Sequence, residues 1–405
     1  MNYTKKLMQK ISQYLNEPEQ TKEAQLSNCQ LNSFPEHLLK CNYLEKLILD
    51  ENFIESCPEQ IKKLQKLKIL SLNFNQIENL PQEIGSLINL QILNLGWNQQ
   101  STFSYEIPSL QELNIANNRF DSLPQAITQL QKLQKLYLRS NRLQFLSSKI
   151  ENLSNLSLLD IANNQLQHIE TDFSSFHKLQ NLNLNNNLLE EFEVNNDSLQ
   201  TLSVNRNSLN SCSIQAKKII SIGLEHNQLT TSNLQISPTS YLRILRVSNN
   251  PLQYLPTEIN QFSELIELYA NNCHLQNIEH LQHLPKLEML NLEHNTLQQL
   301  SFDLPQLKIL FVNHNNINNL STEFYQSKNL RYCYLRNNSL EKISNDIRNF
   351  VQLEELDLSN NKISTLPNAI ENLKNLRYLY LEKNSLPKTE KQKISALLPH
   401  TYISF

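Results

Sequence analysis

The sequence predicts an α/β solenoid, short parallel strands stacked rung on rung with return arms behind them, and three observations carry the prediction. Asn52, Asn75, Asn98, Asn118, Asn141, Asn164 and Asn187 recur at intervals of 23 or 20 residues. Each is preceded by leucine or isoleucine at minus eight, minus five and minus three. The period runs on through seventeen consecutive frames, and a unit of twenty-odd residues cannot bury its own apolar face. It has to stack on copies of itself.

The chain divides into a cap, an array and a second cap. In the first 20 residues Leu7, Met8, Ile11, Tyr14 and Leu15 share one face of a helix predicted from Thr4 to Leu15, which would cover the first frame. The array spans 21–386, with frames beginning at Thr21, Leu44, Leu67 and so on to Leu376. Within each frame, positions 4 and 6 are apolar and flanked by polar residues, the period of a short half-buried strand whose odd positions face outward. Position 9 is Asn in fifteen frames and Cys in two, Cys29 and Cys273, which fits a side chain turned inward onto unpaired backbone. Position 15 is Pro in six frames and favours an extended or tightly turned return arm. The long frames leave room for a short outer helix. The four short ones, from Leu90, Leu179, Leu199 and Leu287, are expected to return by extended or 3₁₀ segments. The last segment, 387–405, reads as a capping helix from Lys388 to Leu398, with Tyr402, Ile403 and Phe405 tucked under the final strand.

Composition removes several function classes. A net charge of −3 gives no basic field for nucleic acid or acidic membranes, so neither is an expected partner. Three glycines, Gly85, Gly96 and Gly223, cannot assemble phosphate-cradling loops. No secretory signal is readable in residues 1–16, and no later stretch approaches membrane length. The six cysteines fall on interior frame positions without a CxxC pair, as small apolar fillers in a reducing compartment, so a cytoplasmic location and no metal or other cofactor are expected. The frames consume the chain and leave no room for a catalytic domain.

The motif LKILSLNFNQIENLPQEIGSL from Leu67 to Leu87 is matched place for place by LEELDLSNNKISTLPNAIENL from Leu353 to Leu373. This pattern resembles the leucine-rich repeat, in the 23-residue form of intracellular Ras-suppressor-like proteins and many bacterial repeat proteins, over residues 21–386. The resemblance implies a horseshoe with a parallel β-sheet on its concave face and short helices, 3₁₀ turns or extended arms on its convex face. It also implies a non-catalytic scaffold for a protein or peptide, with small GTPases, kinases and phosphatases as partners by analogy. The chain departs from that pattern in its 20-residue units and its two Cys rungs.

Frame positions 3, 5, 7 and 8 write out the binding surface. Tyr269, Phe311, Tyr334 and Tyr380 at position 5 join Tyr332 and Tyr378 at position 3, beside Arg246 and Arg336, in the composition of an interface hot spot. A second group comprises Phe74, Trp97, Tyr137, Arg139 and Arg142. His294 and His314 hold position 8 of consecutive frames beside Glu293, where solvated rim histidines are a better reading than a metal site lacking a third ligand. The expectation is therefore a monomeric scaffold for protein interaction. A surface or structural adhesin, and an enzyme regulator, remain alternatives.

Overall fold

The computed structural model describes residues 11–278, 281 and 284–405. Leu7 and Met8 lie outside these; residues 11–16 are helical, with Ile11 buried. The chain forms two compact units, one of residues 1–189 and 194–199, the other of 190–193 and 200–405.

Within each unit the frames become rungs of a parallel sheet. In the first, strands run from Glu23–Gln25 through Lys46–Ile48 and Ile69–Ser71 to Asn181–Asn183. Register follows the repeat period, so that Leu47 pairs with Leu70 and Leu70 with Leu93. In the second, they run from Thr201–Ser203 to Tyr378–Tyr380. One further strand, Tyr402–Ser404, pairs in parallel with Tyr378–Tyr380. The expectation that the final residues tuck beneath the last strand is corrected here: they extend the sheet, and Tyr402 is 61% exposed. Alternation produces this edge, since Ile403 opposes Leu379 and the rings on either side face out.

The position-9 asparagines satisfy backbone that the strand leaves unpaired as it turns. Asn75 is representative: its Nδ2 donates to Leu49 O at 3.0 Å in the preceding rung and to Leu72 O at 3.1 Å in its own. Its Oδ1 accepts from Ile54 N at 3.0 Å. At the Cys rungs one thiol cannot do both. Cys273 Sγ reaches Val247 O at 3.3 Å, while the backbone N–H groups of Cys273 and Leu275 both turn onto Oδ1 of Asn295. Cys29 and Leu31 share Asn52 Oδ1 in the same way. At both rungs the following residue, Gln30 or His274, enters the left-handed region.

Return arms follow frame length. The long frames carry single 3₁₀ turns such as Glu59–Lys63, Gln82–Ser86 and Asn368–Asn372. Positions 18 and 21, Ile84 and Leu87 in one arm, are both fully buried, and a separation of three residues is one 3₁₀ turn. The short frames from Leu179, Leu199 and Leu287 return extended, through Glu191–Asn195, Ser211–Gln215 and Gln299–Leu300. Ser211–Gln215 pairs in parallel with Leu234–Ile236. Among the described residues, α-helix is confined to 11–16 and the C-terminal Lys388–Leu397. Five cysteines are buried, but Cys29, expected inside, is partly exposed at the first rung.

Candidate functional site

The odd positions of each strand keep their side chains on the open face because the even positions fill the core. In the second unit, parallel register lines up Arg246, Tyr269, Asn291, Phe311, Tyr334, Asp357 and Tyr380 as one column. Its neighbour two positions earlier includes Glu267, Tyr332, Glu355 and Tyr378.

The rings expected to form one cluster are divided among separate contacts. Arg246 lies 4.9 Å above the Tyr269 ring, with Nη2 3.4 Å from Glu267 Oε2, which also accepts from the Tyr269 hydroxyl at 3.1 Å. Phe311 and Tyr334 stack at 4.9 Å with planes 5° apart. Tyr378, 46% exposed, leans on Tyr402 with centroids 6.2 Å apart. Tyr269 is separated from Phe311 by the Asn291 rung, and Tyr334 from Tyr380 by Asp357. Tyr332 is held by Glu354, which accepts from its hydroxyl at 3.4 Å and from Arg331 Nε at 2.7 Å.

Burial, followed by the charge of Glu355, pushes the Tyr334 phenol up to about 12. Tyr380 is raised in the same direction, by burial and then by Glu355. These rings therefore remain neutral donors across the physiological range. Arg336 is exposed and, with Asp357, Tyr380, Glu382 and Lys383, lines an open depression on this face. A list of aromatic residues missed the carboxylates Glu267, Glu354, Glu355 and Asp357. For Glu355 and Asp357 the signal was available, because writing each frame beneath the last places each of them between two tyrosines.

In the first unit Phe74 and Trp97 stack at 5.1 Å with planes 12° apart, and they are 48% and 53% exposed. Both occupy position 8, and all seventeen position-8 residues have φ between 51° and 60°. For bulky side chains this left-handed backbone is strained, by about 1 to 3 kcal/mol at each position. Tyr137 stands apart from them on its strand, raised by burial and by Glu112. Arg139 is exposed and sits near Asp160, whose carboxyl burial raises.

His294 and His314 stack at 4.2 Å with planes 10° apart. Burial and then His294 hold His314 below the usual imidazole range. Glu293 is engaged by Asn313 Nδ2 at 2.6 Å. Among the described residues no group of three or more metal-ligating His, Cys, Asp or Glu side chains occurs, and no helix is long and apolar enough to cross a membrane.

Stacked frames, an internal asparagine ladder and a strand face of aligned side chains define a repeat solenoid. A family model described as leucine rich repeat matches residues 42–99, 99–143, 131–189 and 329–386. The chain belongs to the leucine-rich repeat family, whose members are generally protein-interaction scaffolds. It is similar to a leucine-rich repeat protein of Leptospira interrogans, at 31% identity over 97% of this chain and 98% of that one, with a TM-score of 0.78. A plant peptide hormone receptor, RGFR1, solved in complex with RGF2, is 25% identical, with 90% of this chain and 63% of that one covered and a TM-score of 0.59. Osteomodulin of Rattus norvegicus is 32% identical over 126 residues, and that match spans 30% of each chain.

Proposed function

We propose that this chain is a non-catalytic scaffold that takes a protein or peptide on the strand face of its second unit. The observation that carries the reading is the stacked pair Phe311 and Tyr334, flanked on the same face by Tyr332, Tyr378 and Tyr380. Rings fixed on a hydrogen-bonded sheet lose little conformational freedom when a partner covers them, so more of their contact energy remains as affinity. A solved structure supports the reading, since the similar plant peptide hormone receptor is in complex with RGF2.

Affinity capture with the parent and with the Phe311→Ala/Tyr334→Ala double variant tests this. Both must first give the same melting temperature. A protein retained by the parent and lost by the variant, with affinity reduced by more than about 2 kcal/mol, supports the site. Equal retention by both would move the search to Phe74 and Trp97 or to the return arms.

A further inference from the structure

One chemical order occurs twice on this face. Tyr332, Glu355 and Tyr378 are register partners on three consecutive strands, and Tyr334, Asp357 and Tyr380 are partners on the same three. Each carboxylate thus stands between two tyrosines. Strands lie about 4.8 Å apart, which sets the outer two about 9.6 Å apart. A flat group needs roughly 3.5 to 4 Å to each ring. Two strand spacings are therefore wide enough for one planar group above Asp357, where the open depression is lined by Asp357 and Tyr380.

The charge of that group is set by the carboxylates. Asp357 Oδ1 accepts from Ser359 N at 2.9 Å and Ser359 Oγ at 2.6 Å. Among the described residues neither Glu355 nor Asp357 is in an ion pair. The same fold completes the arrangement elsewhere with its own arginines. Arg246 lies on Tyr269 and pairs with Glu267. Arg331 lies 5.7 Å over Tyr332 and pairs with Glu354. In each a guanidinium rests on a tyrosine face against a carboxylate; beside Tyr334 and Tyr380 the rings and carboxylates are present, and Arg336, which lines the same depression as Asp357 and Tyr380, neither stacks on either ring nor pairs with either carboxylate. Burial first, and the charge of Glu355 after it, raise the phenols of Tyr334 and Tyr380, which places that carboxylate close to both rings.

We propose that Tyr334, Asp357 and Tyr380, backed by Glu355, receive an arginine side chain of a bound peptide or protein, its guanidinium between the two rings and paired with Asp357. This rests on the strand-face reading and adds the chemistry of the partner. Arginine is favoured over lysine because a planar fork both fills a slot between rings and meets a carboxylate with two donors. Arg336 and Lys383 line the same depression and repel a second cation, so the partner presents a single arginine and not a basic run.

The probes are the capped peptides Gly-Ser-Gly-Arg-Gly-Ser-Gly and the same sequence with citrulline, titrated by NMR against the full chain. Citrulline keeps the planar shape and removes the charge. Saturable binding of the arginine peptide, at least tenfold weaker for citrulline, is expected; the preference should vanish in Glu355→Gln/Asp357→Asn and in Tyr380→Ala while both melt like the parent. Absence of saturable arginine binding, equal binding of the two peptides, or an undiminished preference in both variants would overturn the proposal. The broader reading is separated by the captured partner. If its retention needs Phe311 and Tyr334 but not Glu355 and Asp357, only the arginine site fails; if arginine binds selectively while capture ignores all four residues, only the strand-face reading fails.

Discussion

At the scale of the residue, the asparagine ladder is where chain chemistry and repeat period meet. A single side chain must donate to two rungs and accept from one of them, and only a carboxamide offers both functions at that length. Asn187 does so at 5% exposure: Nδ2 donates to Ile161 O at 3.1 Å and Leu184 O at 3.0 Å, and Oδ1 accepts from Leu166 N at 3.0 Å. Asn187→Ala should therefore cost about 1 to 3 kcal/mol, since the buried Leu166 N–H loses its acceptor and Ile161 O and Leu184 O each lose one donor. Cys273→Ala should cost less than about 1 kcal/mol, because a thiol is a weak donor and Asn295 already holds the neighbouring N–H groups. Urea denaturation of the two variants checks the difference. Equal losses would mean that the ladder contributes through packing and not through hydrogen bonds.

At the scale of the element, the short frame from Leu90 shows what happens where a return arm lacks its turn. No 3₁₀ segment forms there; instead the buried Tyr105 hydroxyl accepts from Leu80 N at 2.8 Å and donates to Leu80 O at 2.9 Å. One side chain thus replaces a neighbouring arm's backbone. In the same frame position 11 is Gln100, fully buried, with neither Oε1 nor Nε2 hydrogen-bonded. Tyr105→Phe should destabilise by about 1 to 3 kcal/mol, by orphaning two backbone groups. Gln100→Leu should stabilise by about 1 kcal/mol or more, by removing desolvated polar atoms from a site that is apolar in most other frames. Chemical denaturation that moved either midpoint the other way would contradict this account.

The period made the strands, their register and the extended short arms legible, because apolar spacing alone fixes which side chains face in. The 3₁₀ form of the long arms was legible only in part: the three-residue gap between positions 18 and 21 was there, but length alone also allowed a helical turn. The left-handed column at position 8 carried a weaker signal. Asn holds eight of the seventeen places, and Phe, Trp, His, Arg, Glu, Ser and Lys hide the rule at the rest. For the candidate site, rings were easy to find by type. The carboxylates between them emerge only across strands, where residues 23 apart become neighbours.

At the scale of the whole molecule, buried thiols give both units a shared alkaline limit. Burial pushes Cys57, Cys212 and Cys273 up to about 12 and raises Cys41 and Cys333 as well. In the unfolded chain thiols titrate near 8.5 to 9. Below that range folded and unfolded states hold the same protons, and these groups do not tilt the balance. Between about pH 9 and 12 the unfolded chain releases protons that the folded chain keeps, so stability falls as pH rises, by roughly 1.4 kcal/mol per pH unit for each such thiol. The expected outcome is a steep drop in denaturation midpoint from pH 8 to pH 10.5, reduced in a Cys57→Ala/Cys212→Ala/Cys273→Ala variant that starts from a lower midpoint at pH 8. Native labelling with a thiol reagent at pH 8 should modify the partly exposed Cys29 first, with the remaining five reacting only in denaturant. All six should react as free thiols in denaturant, as the expectation of a reducing compartment requires. A midpoint insensitive to pH, or rapid native labelling of several cysteines, would show that the thiols are not sealed in the stacked core.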